Sequence, residues 1–263
     1  MFTHRAAVAA IGLPLLAALV LAPERLFTIG VTIVVALGAA EFIRAIPSRP
    51  SPTSIIASGA FAALLAMTLR TFYVPPWTLV GLVAVTAFAV TVLAWPDPSQ
   101  VTADGAWWLG GVLYVGVLGA HWLLLRNMEG GQRWVIVVLA VTFATDTGAY
   151  AVGKLFGRHI LWRSVSPSKT WEGFVGGMVL GGIVVLAVSA LLGVPRPLQW
   201  IALLAVVLPF AGIAGDLLES SIKRRMGVKD MSRLLPGHGG LLDRLDSLLV
   251  VGPCLYWILW LTR

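Results

Sequence analysis

Nine stretches of this chain, at about residues 7–22, 26–43, 53–70, 76–95, 105–125, 133–153, 171–194, 197–218 and 246–262, are apolar. Each approaches the roughly 20 residues a helix needs to cross about 30 Å of hydrocarbon. Inside a bilayer the backbone must satisfy its own hydrogen bonds, so runs of this kind become helices. The expected fold is all-α: a polytopic integral membrane protein with about nine transmembrane helices and a polar, cytoplasm-facing pocket. With 58% of residues hydrophobic and only 12% charged, an ordinary soluble domain is excluded.

Basic residues orient the spans, because positively charged loops stay in the cytoplasm. With nine spans, one side holds 13 of the 19 Lys and Arg residues, including Arg5, Arg44, Arg49, Lys154, Arg158, Lys169, Lys223 and Arg244, and the other side holds 6, Arg25, Arg70, Arg126, Arg133, Arg196 and Arg263. The N-terminus and both highly charged loops are therefore expected in the cytoplasm. Arg5 before an apolar run ending Val20-Leu21-Ala22 also fits a cleaved signal peptide, the alternative for the first span. Cys254 is the one cysteine, which excludes a disulfide framework or a thiolate metal site and leaves it as a packing residue. Residues 1–130 read as a transmembrane scaffold and 131–263 as the catalytic part of the same membrane unit, with its most polar segment at 220–246.

Three polar constellations interrupt the apolar pattern. In the first, Thr145 to Gly177, Asp146, Tyr150 and Gly153 fall at i, i+4 and i+7 and share a helix face. Lys154, Arg158 and Lys169 add positive charge, Ser166-Pro167 suggests a turn or helix start, Ser168 a cap, and Glu172 sits on the first turns of the next span. In the second, Asp216, Glu219, Ser220 and Lys223 form one stripe. An embedded acid such as Asp146 or Asp216 needs a partner, and for Asp216 a metal ion or Lys223 would supply one. In the third, Lys229-Asp230 leads through Gly237-His238-Gly239-Gly240 to Asp243-Arg244-Leu245-Asp246. Its glycines let backbone N–H groups approach an anion, and Asp243 and Asp246 are expected on one face at the start of the last span.

Carboxylates with lysines and arginines on one membrane face point to phosphate chemistry with a divalent metal. Cations neutralise phosphoryl oxygens and a leaving pyrophosphate, and carboxylate oxygens suit a hard ion such as Mg²⁺. A bland reading remains for the loop cations, which also anchor a protein by charge, and for His238, which can bind phosphate, shuttle a proton or complete the turn. A G-x(4)-G-K-[ST] loop is absent from the sequence, and nucleic acid is not an expected partner.

The run S-x-I-K-R-x(4)-K-D-x-S-x(2)-L-P-x-H-G-G-L-x-D-R-L-D, from Ser220 to Asp246, resembles the signature of phosphatidate cytidylyltransferases, also called CDP-diacylglycerol synthases. Asp146-x(3)-Tyr150-x(2)-Gly153-Lys154, Ser166-Pro167-x-Lys169-Thr170-x-Glu172-Gly173 and Gly215-Asp216-x(2)-Glu219-Ser220 are similar to the same family, and Glu41-Phe42-x-Arg44 matches it weakly. The resemblance implies that CTP and phosphatidic acid give CDP-diacylglycerol and pyrophosphate with Mg²⁺, more than one cation being expected. It assigns Asp230, Asp243 and Asp246, with Asp216 and Asp146, to metal ligation, and Lys223, Arg224, Lys229 and Arg244 to phosphates. Gly237, His238, Gly239 and Gly240 would lie against the nucleotide or pyrophosphate. Tyr150, Lys154, Ser166, Lys169, Glu172 and Ser220 would bind substrate. It further implies a homodimer. A compact chain without a long N-terminal extension is expected in a prokaryotic plasma membrane. The alternatives are a CTP-dependent lipid-alcohol kinase, which needs a base beside the acceptor hydroxyl, and an ion-coupled transporter, which leaves the basic, glycine-rich segment unexplained.

Overall fold

The computed structural model describes residues 2–48, 50–71, 98–235, 237 and 239–262. The span expected at 76–95, together with Arg49, His238 and Arg263, lies outside them. The elements are α1 (Phe2–Leu21), α2 (Glu24–Arg44), α3 (Pro52–Thr71), α4 (Pro98–Arg126), α5 (Gly131–Phe156), β1 (Ile160–Trp162), β2 (Ser166–Thr170), α6 (Trp171–Leu192), α7 (Leu198–Arg225) and α8 (Leu248–Leu261). Six helices, α2 to α7, are long and apolar enough to cross a membrane, α4 over Asp104–Arg126. The protein is thus a predominantly helical, multi-pass membrane protein.

Not all nine expected spans are present at full length among the described residues. The last is α8, whose 14 residues rise only about 21 Å, because the chain from Leu242 to Ser247 is spent on a 3₁₀ turn and further turns. Conversely α7 continues past the expected end at residue 218 to Arg225. Its continuation carries Asp216–Ser220 and Glu219–Lys223 pairs one turn apart, and Lys223, Arg224 and Arg225 in the last turn complement the negative end of the helix dipole. The chain between α5 and α6 forms a short antiparallel hairpin, pairing Ile160 with Thr170 and Trp162 with Ser166. Ser166-Pro167 therefore lies in a strand, and the cap of α6 is Thr170, whose hydroxyl accepts from Gly173 N at 3.1 Å, not Ser168.

The chain divides into two compact units. Met1–Leu124 with Met226–Asp243 forms one, and Leu125–Arg225 with Arg244–Arg263 the other. In the first unit α4 packs on α2 and α3. Phe42 meets Trp107 and Tyr114 with ring centroids 6.4 and 6.1 Å apart, and the buried Trp108 indole donates to Ser54 O at 3.2 Å.

The second unit is built from α5 to α8. Its α5–α6 seam is lined by small residues that let the two backbones approach closely. A Cβ at Gly148 would stand 2.6 Å from Gly176 O, and one at Gly177 would stand 2.9 Å from Thr145 O. At one end of this unit arginines cap the helices. Arg133 donates to Gly193 O at 2.9 Å, and Arg196 to Thr262 O and Leu259 O at 2.8 and 3.0 Å. The end formed by the C-termini of α5 and α7 and the N-termini of α6 and α8 collects the charged side chains.

Replacing Gly148 by Val is expected to force α5 away from α6 and lower the thermal midpoint in detergent by roughly 4–10 °C, the scale of overpacking a closed seam. Val175→Leu, on the exposed face of α6, should leave the midpoint unchanged in the same melting series.

Candidate active site

In the second unit the carboxylates are placed by helix length. Asp146 lies ten residues before Phe156 at the end of α5, and Asp216 nine before Arg225 at the end of α7. Both therefore sit about 14 Å inside the same end of the unit. Asp246 follows the 3₁₀ turn and precedes α8. Asp216 forms an ion pair with Lys169 of β2 at 2.5 Å and accepts from the Ser220 hydroxyl at 3.3 Å. Lys223, which the sequence offered alongside a metal ion as a partner for Asp216, pairs instead with the fully buried Glu219 at 3.2 Å. The groups acting electrostatically on Asp146 are Asp216, Lys169 and Arg244.

Asp246 is the most perturbed of these acids outside the spans. Burial, then the neighbouring Asp216 and Asp146 carboxylates, push its carboxyl up to about 7, against the opposing pull of the Ser247 N–H at 2.6 Å and the Lys223 ammonium. Three mutually repelling oxygen-donor groups with flanking lysines have the chemistry of a hard-cation site. Among the described residues no three Asp, Glu, His or Cys side chains converge as a ready ligand set. Water and substrate oxygens would complete the coordination, as Mg²⁺ prefers.

Around this cluster the hairpin is tied down at several points. The Arg224 guanidinium donates to Val165 O at 3.3 Å. Glu172 holds the loop before β1, accepting from Arg158 N at 3.1 Å, His159 N at 3.3 Å and His159 Nδ1 at 2.6 Å. Ser166 is half-buried on β2. Tyr150 and Lys154 are exposed and meet each other, with Nζ 3.4 Å from the hydroxyl and 5.5 Å from the ring centroid. Arg244, also exposed, ends the 3₁₀ turn.

The rest of the polar segment belongs to the first unit. Asp243 is buried, and its Oδ2 accepts from Met231 N at 2.9 Å and Gly240 N at 2.7 Å. Asp243 and Asp246 therefore do not open one helix face: the chain turns between them and α8 begins later. Gly237 and Gly239 adopt positive φ, 78° and 83°, as a tight turn closed by Leu235 N to Gly239 O at 2.8 Å requires. Lys229 and Asp230 are exposed. His238 lies outside the described residues.

Glu41, which the sequence offered only within a weak family match and without a role in the site, belongs here too. Buried near the end of α2, it accepts from Leu241 N at 3.1 Å, Leu242 N at 2.6 Å and the Ser232 hydroxyl. The available signal was a single acid inside an apolar span, which demands a partner.

The sequence matches the cytidylyltransferase family over residues 3–262. The phosphatidate cytidylyltransferase of Staphylococcus saprophyticus is 41% identical over 152 residues, covering 58% of this chain and 58% of the relative. That of Bacillus subtilis is 40% identical over 148 residues, 56% of this chain and 55% of the relative. The enzyme of that name from Mycobacterium tuberculosis is 41% identical over 155 residues, 59% and 47% respectively. The chain thus spans about half the length of the curated relatives it matches.

The raised carboxyl of Asp246 has a defined pH signature. Between about pH 4 and pH 7 the folded, cation-free protein retains a proton that the unfolded chain releases, so this group's contribution to stability falls as pH rises through that window. Asp246→Asn is expected to flatten that part of the curve and to raise the detergent melting midpoint at pH 8 without divalent cation, while abolishing turnover. A lower midpoint together with normal turnover would make Asp246 an ordinary structural residue.

Proposed function

Since this chain belongs to the cytidylyltransferase family, we propose that it transfers CMP from CTP to phosphatidic acid, giving CDP-diacylglycerol and pyrophosphate. The observation that carries this reading is the cluster of Asp146, Asp216 and Asp246 with Lys169, Lys223 and Arg244 at one end of an apolar helical unit. The named relatives support the choice of acceptor.

In the reaction a phosphate oxygen of phosphatidate attacks the α-phosphorus of CTP, and the bond from that phosphorus to the β-bridging oxygen breaks. The second pKa of a phosphomonoester is about 6, so the nucleophile is already ionised and needs no strong base. The chain's task is then positioning and charge neutralisation. Lys169, Lys223, Arg224 and Arg244 bind phosphoryl oxygens, Lys229 and the turn carrying Gly237 and Gly239 serve the nucleotide's phosphates, and Ser166 and Ser220 donate hydroxyls. Asp146, Asp216 and Asp246 would hold Mg²⁺. That ion, when bound, supplies Lewis-acid neutralisation of the triphosphate.

The lipid enters from the cytoplasmic leaflet of the plasma membrane, a side that the excess of basic loops supports for the charged end. A homodimer belongs to the same reading.

Purified protein given phosphatidic acid, Mg²⁺ and α-labelled CTP is expected to yield a labelled CDP-lipid and unlabelled pyrophosphate. Label passing only from γ-labelled CTP to a lipid alcohol would replace this reading with a kinase. Lys169→Met, which removes the partner of Asp216, is expected to lower kcat/KM by about 10²–10³, the scale of losing one preorganised charge. Retained activity would take Lys169 out of the phosphate set.

A further inference from the structure

We propose that Glu41 is a positioning residue for the reaction, holding the segment from Ser232 to Leu242 in its working shape. The inference rests on the proposed cytidylyl transfer for its catalytic consequence, and on hydrogen-bond geometry for the clamp itself.

Glu41 is 7% exposed and lies on the apolar helix α2, where an acid without partners is costly. Its partners come from far along the chain. Oε1 accepts from the Ser232 hydroxyl and from Leu241 N at 3.1 Å, and Oε2 from Leu242 N at 2.6 Å. Ser232 also receives Leu234 N at 3.1 Å, so one carboxylate secures both ends of the turn that contains Gly237 and Gly239. The fit at Gly240 is equally close, since a Cβ there would stand 2.8 Å from Oε2 and nearer still to Oε1. The absence of a side chain at that position is thus explained by the carboxylate pressed against it.

Asp243 completes the arrangement through Gly240 N and Met231 N. The N–H groups of residues 240, 241 and 242 are consequently committed to carboxylates of the protein. Glu41 therefore acts on the proposed reaction through the shape of the turn.

A glutamine has the size of Glu41 but replaces one acceptor oxygen by an N–H₂ donor, which must face an N–H. Glu41→Gln is expected to accelerate amide hydrogen exchange at Leu241 and Leu242 by at least about tenfold in detergent micelles. It should lower kcat by a similar factor, with little change in KM for CTP, while the helix content by circular dichroism stays at the wild-type value. Ser232→Ala removes a single donor, and its effect should be smaller and less than additive with Glu41→Gln. It serves as the second variant if Glu41→Gln fails to fold.

Unchanged exchange at Leu241 and Leu242 overturns the clamp whatever the activity, and faster exchange with unaltered kcat overturns its role in positioning. If the wild-type protein forms no CDP-lipid, the functional reading fails, and the exchange measurement still decides the clamp.

Discussion

Hydrocarbon does not solvate a carboxylate, so a buried acid in this protein's apolar body is costly unless donors or a cation answer it. The two compact units answer in different ways. In the first, Glu41 and Asp243 are satisfied largely by backbone N–H groups. In the second, Asp216 and Glu219 are satisfied by the ammonium groups of Lys169 and Lys223. The distinction has a functional consequence. A backbone N–H cannot leave without unfolding the turn, so it fixes architecture. A lysine on a flexible four-carbon stem can exchange one anion for another, so it suits a place where substrate phosphates arrive.

The helical scaffold gives these pairs their positions. Because α5 and α6 meet along glycines, their backbones run close together, and the hairpin between them is short enough to return Lys169 toward Asp216. Arg133 and Arg196 occupy the other end of the same unit, where they cap helix carbonyls. The six basic residues assigned to the side opposite the cytoplasm thus include at least two with purely structural duties. Charge asymmetry in this unit reflects a division of labour: arginines that close helices at one end, lysines that face acids at the other.

How much of this was legible in the sequence depended on distance along the chain. The apolar runs and the stripe of Asp216, Glu219, Ser220 and Lys223 could be read directly, since helical spacing acts over three or four residues. The pairing within the stripe could not, because Lys169 competes for Asp216 from another element. Ser166-Pro167 read as a turn or helix start, yet pairing of Ser166 with Trp162 across the hairpin makes it a strand. Asp243 and Asp246 look like neighbours on a helix, but the Asp243 side chain is drawn to Met231 and Gly240 and the helix starts later. Glu41 lies furthest from local rules, with partners 191, 200 and 201 positions away. Its isolation in an apolar helix and a weak family match marked it, but neither pointed to its partners.

Charge balance also explains why acids and bases are interleaved at the end of the second unit instead of being segregated. An uncompensated group of three carboxylates would favour protonation, as the raised Asp246 carboxyl already shows. Lysines alone would hold a polyphosphate product too firmly to release it. With Lys169 on Asp216 and Lys223 on Glu219, each of these cations has a resident anion. In the proposed reaction, a phosphate that drew Lys169 away would leave the Asp216 carboxylate in need of a new cation, which is the place Mg²⁺ would take.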